Sequence, residues 1–162
     1  MSEEKKIETR LKTGLNNNFV LVSKCLLNVM LFSGIPVTAL IPLFFKWYSK
    51  INDYYATYYW PQVIMFMISG IFSCLIVYEL RKMIRTVEED NCFIIGNVKS
   101  LRKMGGYSFV IAGVSCCRLA LYATPAVLVV IIVFVIAGLF SKVLAGVFDR
   151  AVAYKEENEL TI

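Results

Sequence analysis

Four stretches of the chain are each apolar for about the twenty residues a helix needs to cross a bilayer, whose hydrocarbon is ~30 Å thick against a rise of ~1.5 Å per residue. They run from Phe19 to Phe45, from Pro61 to Leu80, from Tyr107 to Thr124 and from Ala126 to Phe148. No other feature restricts the fold as much, because a backbone in lipid must satisfy its own hydrogen bonds and so closes into helices. Composition points the same way: 58% of the 162 residues are hydrophobic and 18% charged, more apolar than soluble domains run. The expectation is a single all-α integral membrane domain, four transmembrane helices in a small bundle. The last two spans come from one long apolar stretch, broken at Thr124-Pro125, since proline disfavours helix in the residue before it and starts a new helix well. The first run is too long for a signal-peptide core and lacks a small-residue cleavage pattern, so it reads as a retained helix.

Orientation follows from the basic residues. The tail 1–18 holds Lys5, Lys6, Arg10 and Lys12, and the connection 81–106 holds Arg81, Lys82, Arg85, Lys99, Arg102 and Lys103. The connection 46–60 has Lys46 and Lys50, and the turn at Pro125 has none. By the positive-inside rule both termini (1–18 and 149–162) and the central connection are expected in the cytoplasm. The net charge of +5 thus reports orientation, and direct nucleic-acid binding is not expected. The outer connection instead carries Trp47, Tyr48, Tyr54, Tyr55, Tyr58, Tyr59 and Trp60. These rings suit the headgroup level, a reading preferred to an aromatic ligand patch.

Within the central connection, Ile94, Val98, Leu101 and Met104 or Gly105 recur at helical spacing, while Asn97, Lys99, Ser100, Arg102 and Lys103 fall elsewhere. That pattern predicts a basic amphipathic helix at the inner membrane surface between the second and third spans, ended by Gly105-Gly106. Lys99, Arg102 and Lys103 would meet anionic lipid or a cytoplasmic partner. Glu156, Glu157 and Glu159 give the C-terminal tail the opposite sign, which allows tail and connection to touch. Glu88-Glu89-Asp90 reads as a solvated turn, lacking the convergent ligands a divalent ion needs.

Charge inside hydrocarbon is costly and is the usual pointer to function. Lys24 and Glu79 lie at similar depth and could pair, with snorkelling of each as the plainer reading. Arg118, in the outer half of the third span, has to find headgroups, water or a partner, and a transport path would begin there. Asp53 is the outer side's one carboxylate. Small residues recur four apart at Ser69 and Ser73, Gly70 and Cys74, Ala112 and Cys116, Gly113 and Cys117, and Ala137, Ser141 and Ala145. Such rows let helices approach closely and also suit a homo-oligomer. Pro36 and Pro42 should kink the first span. The five cysteines (Cys25, Cys74, Cys92, Cys116, Cys117) show no disulfide or metal spacing, and histidine is absent. No nucleotide-binding, hydrolase or metalloprotease motif is present. The expectation is a non-enzyme with no cofactor.

Asn91-Cys92-Phe93, the run Asn97-Val98-Lys99-Ser100-Leu101-Arg102-Lys103-Met104-Gly105 and the ending Tyr154-Lys155-Glu156-Glu157-Asn158-Glu159-Leu160-Thr161-Ile162 resemble the YoaS-like bacterial membrane proteins, domain of unknown function 2975. The family pattern is similar to N-P-F, then E-N-V-K-R-L-R-x-I-G, then a tail E-x-x-L-T-I or V. Cys92 stands where the family usually has proline and Gly96 where it often has an acid. The resemblance implies a bacterial cytoplasmic membrane and no established activity. It also implies a partner, since such proteins look like companions of small Cro-type helix-turn-helix regulators. The expected function is therefore a membrane modulator of such a regulator. A small transporter, an immunity component and an accessory membrane subunit are the alternatives.

Overall fold

The computed structural model describes residues 3–50, 59–88, 92–121 and 123–159, with side chains from residue 18 onward except 121 and 159. Among the described residues there are four α-helices and no strand: α1 Glu3–Tyr48, α2 Tyr59–Glu88, α3 Ile95–Leu121 and α4 Pro125–Glu159. Three of them are long and apolar enough to cross a membrane, over Asn18–Tyr48, Tyr59–Glu88 and Pro125–Asn158. In their apolar windows no more than 11% of residues are buried within the protein. Phe19, Phe32, Phe44, Ile132, Phe140 and Val143 all face outward. A soluble monomer rarely shows contiguous apolar surface on that scale, so the helices suit a lipid solvent. α3 carries more polar groups and is packed on two sides, between α2 and α4.

The chain folds back on itself at each connection. Rising numbers on α2 meet falling numbers on α1: Phe66 meets Phe45, Gly70 lies against Thr38, and Glu88 bonds Lys24. The same holds for α2 with α3, where Phe72 meets Tyr107 and Glu79 meets Ser100. α3 and α4 follow suit, with Gly105 against Gly138 and Arg102 against Asp149. The helices thus form an antiparallel row in which each packs chiefly on its sequence neighbours. One end of the row collects the polar residues. There Val98 and Leu101 of α3 close a small core with Ala145 and Val152 of α4, flanked by Met83, Leu144 and Phe148.

Two expectations change. The amphipathic segment does not form a separate surface helix: it is the first turns of α3, which continues without interruption through Gly105-Gly106 into the apolar part. Its apolar residues meet α4 and α2, and Asn97 and Ser100, expected on the polar face, are buried as deeply as Val98. The glycine pair is no break. A Cβ on Gly105 would stand 2.9 Å from Lys142 Cγ and 3.1 Å from the Gly138 carbonyl oxygen, so Gly105 allows close approach of α3 and α4.

The break at Thr124-Pro125 is where α4 begins: the Val127 amide donates to the Thr124 carbonyl at 3.0 Å, which leaves proline in the first turn, where its missing N–H costs nothing. α1 runs through Pro36 and Pro42 as one element.

Candidate functional site

The polar end is built on a buried carboxylate. Glu79, near the end of the apolar part of α2, is 6% exposed, and burying a charge is unfavourable unless it is paired and hydrogen-bonded. α3 supplies both remedies one turn apart. The Ser100 hydroxyl donates to Oε2 at 2.7 Å, and Lys103 Nζ donates to Oε1 at 3.3 Å. Lys103 keeps half its side chain in the open while its tip closes over the buried acid, as a long amphipathic stem allows.

A second polar tie lies one turn back along α3. Asn97 Nδ2 donates both to Thr86 Oγ1 at 2.7 Å and to the Cys92 carbonyl at 2.8 Å. Thr86 in turn donates to the Met83 carbonyl. One buried amide therefore joins the end of α2, the connection and the start of α3. In the run 97–105, Asn97, Val98, Ser100, Leu101 and Gly105 all serve packing, while Lys99 and Arg102 are exposed.

Lys24 and Glu79, for which pairing was the alternative to snorkelling, do not pair with each other. Lys24 Nζ donates to Glu88 at 2.7 and 2.9 Å, nine residues beyond Glu79, about 13 Å along α2. A helical side chain leans toward the N-terminus of its own helix, so Lys24 on antiparallel α1 reaches toward the polar end. Glu79 already faces α3. Arg102 bridges to Asp149 of α4 at 2.8 Å, with both partners well exposed. Lys99, Glu156 and Glu157 are exposed. The side chain of Glu159 lies outside the described residues, as do Asp53, Tyr54, Tyr55 and Tyr58.

Arg118 sits toward the opposite end, its guanidinium 4.4 Å from the centre of the Phe66 ring, a favourable placing of a cation on an aromatic face. Phe66 also meets Phe45 and walls an open apolar cleft of about 640 Å³ with Val37, Leu40, Ile41, Phe44 and Tyr48. Arg118 and the pair Lys24 and Glu79 thus belong to different ends and do not converge.

Several residues escape the sequence reading. Lys142 of α4 lies 5.4 Å from the Phe109 ring; its signal was a lone charge in the run from Ala126 to Phe148. Gly138, whose added Cβ would meet the Phe109 ring at 3.1 Å, completes the close contact of α3 with α4. A cleft of about 170 Å³ is lined by Lys24, Tyr78, Arg81, Lys82 and Arg85; four cations on two helices are invisible as a group until the helices are placed side by side. The five cysteines are free, and no cluster of three or more histidine, cysteine, aspartate or glutamate residues able to hold a metal occurs among the described residues.

The chain matches the family described as Protein of unknown function (DUF2975) over residues 43–162. No curated protein and no solved structure matches it. The match takes in α2, α3 and α4 with the ties around Glu79 and Asn97, and the run 97–105 that joins those helices lies inside it. Since it covers well over half of the sequence, this protein belongs to the DUF2975 family.

Proposed function

We propose that this is a multi-pass protein of the bacterial cytoplasmic membrane, crossing four times, that acts without catalysis as the membrane partner of a cytoplasmic helix-turn-helix regulator. α3 crosses beside α2 and α4, its more polar surface turned onto them. Both ends of the chain and the connection between α2 and α3 then lie in the cytoplasm, where the basic residues concentrate.

One observation carries the reading: Glu79, Asp149 and Glu88 are each paired with a cation of a neighbouring helix, Lys103, Arg102 and Lys24, so that the carboxylates of the polar end hold helices together. What that end offers a partner is surface. The last turns of α4 expose Arg150, Tyr154, Lys155, Glu156 and Glu157, and Lys99 is exposed near the start of α3. The docking face then joins the start of α3 to the end of α4, which the Arg102–Asp149 bridge holds side by side.

The test is co-purification from native membranes in mild detergent, with bound proteins identified by mass spectrometry. The natural chain should retain a helix-turn-helix protein, and Tyr154→Ala with Glu156→Lys and Glu157→Lys should release it at unchanged abundance of the membrane protein. Retention of the same regulator by the triple variant would contradict this docking face, and absence of any such regulator would contradict the function.

A further inference from the structure

The cleft between α1 and α2 has no part in that docking face. Its walls are Lys24 from α1 and Tyr78, Arg81, Lys82 and Arg85 from α2. Lys24 is balanced by Glu88. Among the described residues no carboxylate pairs with Arg81, Lys82 or Arg85. Three positive charges therefore stand unbalanced around one small concavity, with a phenol beside them as a further donor.

Its position along α2 says what kind of anion would fit. Ile71, Leu75, Tyr78, Lys82 and Arg85 are all exposed, and their spacing of three and four residues sets them in one stripe along the helix. The stripe is aliphatic, then aromatic, then basic. A ligand lying on it needs an apolar body continuous with an anionic head, and guanidinium groups favour phosphate oxygens. We propose that the cleft binds the phosphate of an anionic phospholipid, its acyl chain running along Leu75 and Ile71. The proposal rests on the membrane placement above but is independent of the regulator, so co-purification can fail while lipid selectivity holds.

The full chain in nanodiscs of equimolar phosphatidylglycerol and phosphatidylcholine, released for native mass spectrometry, provides the test. Phosphatidylglycerol should be retained over phosphatidylcholine on the order of a hundredfold, and each neutralised cation should lower that ratio on the order of fivefold. Arg81→Gln with Lys82→Gln and Arg85→Gln should bring it near unity, while Lys46→Gln, exposed in the last turn of α1, leaves it unchanged. The single variant Arg85→Gln, altered at an exposed position in the last turn of α2, keeps the test alive should the triple variant misfold. An unchanged ratio in Arg85→Gln, or no preference in the natural chain, would overturn the proposal. Emptying of the site by millimolar inorganic phosphate without any lipid preference would assign it to free phosphate and equally overturn the lipid reading.

Discussion

Glu79 and Arg102 show how differently two charged residues at the same end of a protein can matter. Glu79 is buried and held by a hydroxyl and an ammonium from the next helix, so removing one partner leaves part of its charge unanswered. Ser100→Ala should destabilise the protein by about 1–3 kcal/mol, read as a lower unfolding midpoint in detergent. Arg102→Gln removes an ion pair whose partners are 62% and 42% exposed, and should change stability by no more than about 1 kcal/mol. Equal losses in the two variants would contradict the role given to Glu79. The depth of Lys24 and Glu79 could be counted along the sequence. Their partners could not, because pairing depends on how each helix is turned about its axis, and Lys24 consequently finds Glu88.

Helix contacts depend on small residues, and the rows of them were visible in the sequence before the faces were. Gly70 and Cys74 do meet Gly34 and Thr38, whereas Gly113, Cys116 and Cys117 face outward. Periodicity marks a stripe without saying whether another helix covers it. The same limit explains Gly105-Gly106: a glycine pair reads as a break until the backbone of Gly138 is seen beside it. The start of α4 at Pro125 was legible because proline acts locally. These contacts predict opposite effects for one kind of substitution. Gly70→Ala would place a methyl 2.7 Å from Thr38 Cγ2, forcing α1 from α2 at a cost of about 1–3 kcal/mol. Gly146→Ala meets nothing within 4 Å and should gain up to about 1 kcal/mol from helix propensity. Unfolding midpoints of the pair, measured side by side, should move in opposite directions.

Among the described residues, buried polar ties gather at one end of an antiparallel row and apolar side chains cover its flanks, the arrangement expected of a chain dissolved in lipid. The proposed topology requires α3 to cross together with the three more apolar helices, because only an even number of crossings returns the end of α4 to the side of the N-terminus. Labelling with a membrane-impermeant maleimide tests this directly. In a chain whose five cysteines are replaced by serine, Lys50→Cys should label in intact cells, and Glu156→Cys should label only after the membrane is opened. Labelling of Glu156→Cys in intact cells would mean three crossings, and would contradict the account.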